Sequence, residues 1–159
     1  MKKFTCVNDV PDIPALLEQA FELKADPFAE EKLGRRATLA LLFFNPSLRT
    51  RLSTEKAALN LGMRVMTLNP GQGWKLEFED GATMDADRPE HIREAAAVIS
   101  QYADIIGVRT FPTLTDREAD YADVILQKLI ECARVPVISL ESAIRHPLQS
   151  LIAGVRFRD

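Results

Sequence analysis

The chain has 159 residues, of which 47% are hydrophobic and 27% are charged, and its formal net charge is -3 at pH 7. This composition predicts one folded domain with a real hydrophobic core and excludes a disordered chain. The small negative charge gives no overall attraction to nucleic acid or to a membrane, so neither is expected as a partner. Any anion site must therefore be built locally from clustered arginines.

The first residues predict no targeting segment. Residues 1–6 lack the apolar core of a signal peptide, and no run of the chain approaches the ~20 residues of a membrane span. Cys6 and Cys132 are far apart and have apolar neighbours, which favours reduced structural thiols. Together these observations predict a cytoplasmic protein.

The first predicted helix begins at Asp12, which can cap it, with Pro14 in its first turn. Its apolar positions have the spacing of a helix that packs on a core, and they are Ile13, Leu16, Leu17, Ala20 and Phe21. Residues 26–36 are polar and contain Pro27 and Gly34, so they predict a connection. We expect this helix to pack and to carry no chemistry.

A turn rich in hydroxyl and guanidinium groups follows the apolar run 38–44. Ser47 is a natural N-cap, so the free N–H groups of the next helix point at whatever lies above the turn. Arg49 and Arg51 add donors matched to phosphate or carboxylate, and Thr50 adds a hydroxyl. The pattern indicates an anion site. An ordinary helix start with two solvated arginines is the alternative, and it is the commoner one for an isolated pattern of this kind.

This turn lies inside a predicted βαβ unit. The helix that begins at Ser47 ends near Gly62, and the apolar residues 63–68 predict the next strand. Parallel strands joined by a right-handed crossover place the turn at the carboxyl end of the sheet, where α/β folds bind ligands.

Residues 69–87 predict an irregular loop with three glycines and the single tryptophan, Trp74. Long polar loops are usually functional or mobile, although a lone surface tryptophan more often packs than binds a ligand. Gly71 and Gly73 lack a third glycine at dinucleotide spacing, which excludes a nucleotide-binding fingerprint.

Asp87 and Glu90 predict a capping box, which makes Pro89 an early residue of a helix that extends to Gln101. His91 is assigned no role. The strand 102–108 follows, and Arg109 leaves its carboxyl end towards the same crevice as the Ser47 turn. From position alone, Arg109 is equally a substrate ligand or a surface ion-pair partner.

A further helix over 116–132 and a strand over 135–140 complete the pattern. The elements predict an α/β fold, a three-layer αβα domain whose central parallel sheet has about four strands. His146 and Pro147 come just beyond the last strand, and a single His-Pro pair is often only a turn.

The motifs together carry a family resemblance. The segment Ser47-Leu48-Arg49-Thr50-Arg51 after an apolar strand, the strand-end Arg109, and His146-Pro147-Leu148-Gln149 occur in the order found in the aspartate/ornithine carbamoyltransferases. The fold it implies is that of their carbamoyl-phosphate domain. Leu48 replaces the usual threonine, and Leu48 and Trp74 make the chain similar to the branch that acts on N-acetyl- or N-succinylornithine. They disfavour an ordinary ornithine carbamoyltransferase.

The resemblance implies roles for individual residues. Those expected to bind carbamoyl phosphate are Ser47, Leu48, Arg49, Thr50, Arg109, His146 and Gln149. Thr50, Arg109 and His146 are expected to be catalytic by stabilising the developing oxyanion, whereas Arg51 is a weaker candidate that can pair with a neighbouring side chain. No metal and no organic cofactor are needed. The family implies a homotrimer, with Trp74 reaching into the adjacent subunit.

Pro89 and Phe111 are implied to set the acyl substrate. In the N-acylornithine branch, proline at the position of Pro89 accompanies N-succinylornithine and glutamate accompanies N-acetylornithine. A glutamate beside the succinyl carboxylate would impose like-charge repulsion, so Pro89 favours N-succinyl-L-ornithine.

The resemblance covers residues 1–151 and only the carbamoyl-phosphate domain. Family members continue into a second domain that binds the amino-acid substrate, whereas residues 152–159 lack the expected linking-helix pattern and predict an atypical tail. A truncation, a gene fragment and a frame-shifted end all fit. We therefore expect the chain alone to be inactive. The alternative is an inactive chain that binds phosphate-like anions or associates with relatives.

Overall fold

A computed structural model of the chain describes residues 2–72, 74–82, 88–112 and 114–156, with side chains described up to residue 153. The strands are β1 (Lys3–Phe4), β2 (Thr38–Phe43), β3 (Arg64–Leu68), β4 (Leu76–Glu77), β5 (Glu90–His91), β6 (Ile105–Arg109) and β7 (Val137–Glu141). The α-helices are α1 (Ile13–Ala25), α2 (Leu48–Asn60), α3 (Ile92–Tyr102), α4 (Arg117–Ala122), α5 (Val124–Cys132) and α6 (Pro147–Arg156).

The central sheet confirms the predicted parallel α/β architecture. Its strands are parallel and lie in the order β1-β7-β6-β2-β3, which makes five strands rather than about four. The additional strand is β1, where Lys3 pairs with Val137 at one edge of the sheet. A strand of two residues is too short to show an alternating apolar pattern, so it has no signal in the sequence.

Alternating side chains of β2 divide the core into two layers. Ala40 and Leu42 belong to one buried cluster, and Leu39, Leu41 and Phe43 belong to the other. This alternation follows from the two-residue period of a strand. The first cluster is covered by the apolar faces of α3 and α5, and the second contains Ala58 of α2. Helices therefore cover both faces of the sheet.

The start of α3 differs from the prediction. The helix begins at Ile92 with His91 as its N-cap, and His91 Nδ1 accepts a hydrogen bond from the backbone N–H of Arg93 at 3.2 Å. Glu90 and His91 instead form β5, which pairs in parallel with β4. Pro89 therefore precedes a strand and is not in the first turn of a helix. Asp87, the predicted cap, lies outside the described residues.

The helix predicted over 116–132 is two helices. Asp116 caps α4 by accepting from the N–H groups of Glu118 and Ala119, and the chain then turns at Asp123. Asp123 has φ 50° and ψ 41°, a left-handed conformation that interrupts helical hydrogen bonding between α4 and α5. Aspartate tolerates this conformation better than most residues, but nothing in the apolar spacing predicts that it adopts it.

The last helix, α6, continues through Arg156, so the boundary predicted at residue 151 falls inside it. Interpreting residues 152–159 as an atypical tail stays a prediction. No helix in the described part of the chain has the length and apolar content that crossing a bilayer would require.

Candidate active site

The carboxyl ends of β2, β6 and β7 are joined by main-chain hydrogen bonds just beyond the sheet. The N–H of Phe44 donates to the carbonyl oxygen of Arg109 at 3.1 Å, and the N–H of Thr110 donates to the carbonyl oxygen of Glu141 at 2.9 Å. The segments that leave these strands therefore start close together. This is the edge at which parallel sheets bind ligands.

The Ser47 turn has the predicted geometry. Ser47 occupies the N-cap position of α2 with φ -155° and ψ 117°, but its side chain makes no capping hydrogen bond. The first N–H groups of α2 are therefore left to other acceptors at the positive end of the helix dipole. Arg49 is exposed, and it forms no ion pair with any other residue that the structure describes. Unpaired donors at a helix start suit a phosphate group.

A cavity of about 640 Å³ brings the two motifs together. Its lining includes Arg49 and Thr50 from the first turn of α2, and His146 and Gln149 from the start of α6. The other lining residues are Ser53, Thr54, Leu148, Ile152 and Ala153. Four of the seven residues predicted to bind carbamoyl phosphate thus share one cavity, whereas Ser47, Leu48 and Arg109 do not line it.

His146 is held by the first turn of α6. Its Nδ1 accepts a hydrogen bond from the N–H of Gln149 at 3.3 Å, and its carbonyl oxygen accepts from the N–H of Ser150 at 3.0 Å. Because Nδ1 is an acceptor, we infer that the neutral ring carries its proton on Nε2. His146 therefore lines the cavity with an Nε2–H group that can donate a hydrogen bond.

Arg109 is buried, with only 8% of its surface exposed. Its Nε and Nη2 lie 2.9 and 2.7 Å from Oε2 of Glu141. Its Nη1 lies 3.3 Å from each of the carbonyl oxygens of Asn45 and Pro46, and its guanidinium carbon lies 5.5 Å from the Phe111 ring centroid. The ion pair is thus internal and not a surface one. A role in ligand binding stays a prediction.

Arg51 stabilises the Ser47 turn through contacts with neighbouring side chains. Its guanidinium carbon lies 4.8 Å from the centroid of the Phe43 ring, and its Nη2 donates to the side-chain oxygen of Asn69. These contacts tie the first turn of α2 to the end of β2 and to the loop after β3. They support the ranking of Arg51 below Arg49 as a ligand contact.

The three residues with predicted roles in substrate choice or in the adjacent subunit lie outside the cavity. Trp74 is half-buried against the core, and its indole N–H donates to Oε2 of Glu90 at 2.6 Å. Pro89 is exposed beside Glu90. Phe111 is 44% exposed, and its N–H donates to Oδ1 of Asn45 at 2.7 Å. Their predicted roles stay predictions.

Acidic residues anchor the loop that carries Trp74. The backbone N–H groups of Glu79 and Phe78 donate to Glu77 and lower the pKa of its carboxyl, as does Arg88 at 3.0 Å. The hydrogen bond from Lys128 Nζ, at 3.2 Å, is the main cause of the lowered pKa of Asp80.

Three residues that shape this region have no role predicted from the sequence. Glu141 pairs with Arg109, Asn45 joins two loops, and His91 caps α3. The Glu141–Arg109 pair could have been predicted, because the two residues of opposite charge stand at the ends of two predicted strands of one parallel sheet. The other two contacts depend on loop geometry that no sequence pattern encodes.

The comparison with known families covers nearly the whole chain. Residues 2–158 match the carbamoyl-phosphate-binding domain of the aspartate/ornithine carbamoyltransferases. The chain belongs to this family. Because the match is to that domain, the resemblance found in the motifs is confirmed.

Similar proteins are N-acylornithine carbamoyltransferases. The chain is 56% identical over 151 residues to an N-succinylornithine carbamoyltransferase of Bacteroides thetaiotaomicron, covering 94% of this chain and 48% of that protein. It is 43% identical over 149 residues to an N-acetylornithine carbamoyltransferase of Xanthomonas campestris, covering 93% and 43%. The chain thus spans about half the length of the curated relatives it matches.

A solved structure shares the fold closely. It is a variant of N-acetyl-L-ornithine transcarbamylase, with a glutamate replaced by proline, complexed with carbamyl phosphate and N-succinyl-L-norvaline. The TM-score is 0.91 at 39% identity, and the match covers 99% of this chain and 48% of that one.

Proposed function

We propose that this domain binds carbamoyl phosphate and presents its carbamoyl group to the side-chain amine of an N-acylated ornithine. It would act as one half of a carbamoyltransferase of arginine biosynthesis, in the cytoplasm. The observation that carries the proposal is the single cavity shared by Arg49 and Thr50 of α2 and by His146 and Gln149 of α6. Its volume of about 640 Å³ leaves room for a second reactant beside carbamoyl phosphate.

The phosphate is assigned to the start of α2. Arg49 has no competing ion pair among the described residues, and the first N–H groups of the helix are not capped by Ser47. The Arg49 guanidinium and these N–H groups are thus charged and neutral donors at the positive end of a helix dipole. This combination favours the binding of a dianion. Ser47, Leu48 and Thr50 complete this part of the proposed site.

The carbamoyl end is assigned to the start of α6. His146, with its proton on Nε2, would donate to the carbamoyl oxygen, and the side-chain amide of Gln149 would bind the carbamoyl nitrogen. His146 thus acts as a polarising donor and not as a nucleophile.

The proposed reaction is attack by an unprotonated amine on the carbamoyl carbon. A C–N bond forms, the carbonyl oxygen becomes negative in a tetrahedral intermediate, and the C–O bond to phosphate then breaks. Phosphate departs with the bonding pair of that C–O bond and takes up the proton that the amine loses. Thr50, Arg109 and His146 would stabilise the oxyanion, and an aimed donor of this kind typically contributes about 10²–10³ in rate.

N-succinyl-L-ornithine is the acceptor we favour. Pro89 brings no carboxylate to its surroundings, and the carboxylate of the adjacent Glu90 is occupied by Trp74. The 56% identity to an N-succinylornithine enzyme, and the proline variant solved with a succinyl compound, support this choice. The acceptor site would also need a second domain. In the proposed homotrimer, Trp74 would act across the subunit boundary, and Pro89 and Phe111 would set the choice of acyl group.

The test is binding of carbamoyl phosphate or inorganic phosphate, measured by calorimetry. Arg49→Ala is expected to lose on the order of 1.5–3 kcal/mol of binding free energy, because it removes a charged donor pair from the phosphate. Arg64→Ala is the matched control, since Arg64 is exposed at the opposite, amino-terminal edge of the sheet. Equal affinities of Arg49→Ala and the unsubstituted chain would overturn the proposal.

A further inference from the structure

A β-bulge makes Arg109 and Glu141 neighbours. Along β6 and β7, Val108 pairs with Ser139 but the next pair is Arg109 with Glu141, so Leu140 is an extra residue in β7. A bulge of this kind increases the local twist and re-aims the side chains that follow it. The two charged residues therefore become cross-strand partners at the last position of their strands.

The hydrogen bonds of Arg109 are of two kinds. Both contacts with Glu141 are short and end on one oxygen, with Nε at 2.9 Å and Nη2 at 2.7 Å from Oε2. Both contacts of Nη1, with the carbonyl oxygens of Asn45 and Pro46, are long at 3.3 Å. Guanidinium has five N–H donors, so one donor of Nη2 is left over and the two of Nη1 are weakly held.

The pair is shielded from water. The exposed fraction of the side chain is 10% for Arg109 and 22% for Glu141. Because guanidinium is a rigid plane, holding its Nε and Nη2 edge fixes the direction of Nη1 as well. The Glu141 carboxylate is the only charged group among the described residues that forms an ion pair with Arg109.

We infer that Glu141 is a positioning residue, which holds the Nε and Nη2 edge of Arg109 so that Nη1 is presented to an anion at the Ser47 turn. The inference rests on the proposed function, since the anion is the phosphate or carbamoyl oxygen of that site. A bound oxygen replaces the two long contacts of Nη1, while Glu141 keeps its two short ones. In the alternative arrangement, the Glu141 carboxylate competes with the ligand for Arg109. Removing its charge would then tighten anion binding, whereas removing the charge of a positioning residue would weaken it.

The first experiment compares the affinity of Glu141→Gln and of the unsubstituted chain for inorganic phosphate. Removing one negative charge makes the site more positive, so a competing Glu141 would give tighter binding. A positioning Glu141 gives weaker binding, by about tenfold, because Arg109 loses its fixed direction. Glu18→Gln is the charge-matched control, since Glu18 is exposed on α1, and it should bind phosphate as the unsubstituted chain does.

The second experiment needs no substitution at Glu141 and therefore does not depend on how that variant folds. The Nε–H resonance of Arg109, assigned by its loss in Arg109→Lys, is followed while phosphate is added to saturation. It should persist with its protection from water exchange, because Glu141 keeps the Nε edge. Loss of this protection on binding would show that the ligand displaces Glu141, and would overturn the inference.

The two failures are distinguishable. If the unsubstituted chain binds no phosphate, the proposed function is overturned and this inference falls with it. If the unsubstituted chain binds phosphate and Glu141→Gln binds it equally or more tightly, only the positioning role is overturned.

Discussion

Two helices of this domain begin at a histidine that performs the same local task. His146 Nδ1 accepts from the N–H of Gln149 at the start of α6, and His91 Nδ1 accepts from the N–H of Arg93 at the start of α3. Their other ring nitrogens differ. His91 Nε2 lies 3.1 Å from the carbonyl oxygen of Glu79, whereas His146 lines the large cavity. Both histidines cap a helix through Nδ1. Nε2 of His91 then contacts a backbone carbonyl oxygen, whereas the ring of His146 stays available to a ligand.

The surroundings of the two histidines repeat this contrast. Near His91, the carboxylate of Asp80 is paired with Lys128 and Arg93, at 3.2 Å each. Near His146, Arg49 has no ion pair with a described residue. Asp80 is thus paired where a loop is anchored, whereas Arg49 is left unpaired among the described residues where an anion is expected. Each prediction below tests one side of this contrast.

The largest effect expected is on turnover by residues 1–159 alone. The proposed acceptor site would need a second domain, so residues 1–159 alone would lack the mutual positioning of the two reactants, which can contribute ~7–11 kcal/mol. We expect no measurable transfer to N-succinylornithine, N-acetylornithine or ornithine in a citrulline-derivative assay. Product formed above the uncatalysed rate would contradict this prediction.

The next effect compares the histidines directly, in a protein that joins this domain to the second domain of a close relative. His146→Asn should lower kcat by about 10²–10³, because an aimed donor to the oxyanion is removed. His91→Asn is the matched control and should leave kcat unchanged. Asparagine is a good N-cap, so both variants keep an acceptor for the helix N–H. An equal loss of kcat in the two variants would contradict a special role of His146 relative to His91.

A smaller effect is expected for Pro89→Glu in the same joined protein. The added carboxylate should disfavour a succinyl over an acetyl group by about tenfold in the ratio of kcat/KM values, since like charges repel in a partly desolvated site. Pro89→Gln, of similar size but neutral, is the control. If the unsubstituted protein preferred N-acetylornithine, the assignment of the acceptor would be wrong. An unchanged ratio would instead exclude Pro89 as the cause of the preference.

The smallest effect is a pH dependence of the anchored region. The pKa values of Asp80 and Glu77 are lowered in the folded state, mainly by Lys128 and by backbone N–H groups respectively. Groups with lowered pKa values stabilise the fold above their unfolded pKa, and this contribution is lost as pH falls through the folded value. Asp80→Asn should therefore lower the urea midpoint at pH 7. The difference should shrink below about pH 4, and a constant difference would contradict it.

Elements with a strong local signal were predicted well. Asp12 caps α1 by accepting from the N–H of Ala15 at 3.0 Å, and Ser47 occupies the N-cap of α2, both as predicted. Apolar periodicity and capping residues act within one or two turns, so they are visible in the chain itself. The break at Asp123 and the late start of α3 were missed, because apolar spacing encodes neither a left-handed residue nor the pairing of β5 with β4.

The sequence alone determined the parallel αβα architecture, the order of the motifs and the position of the Ser47 turn at the carboxyl edge of the sheet. These features follow from residues a few positions apart and from the handedness of βαβ units. Only the tertiary structure decided that α2 and α6 share one cavity, that His146 opens to it while His91 does not, and that Glu141 holds Arg109. Arg109 and Glu141 are 32 positions apart. Their contact depends on strand register and on one bulge, so it exists only once the sheet has formed.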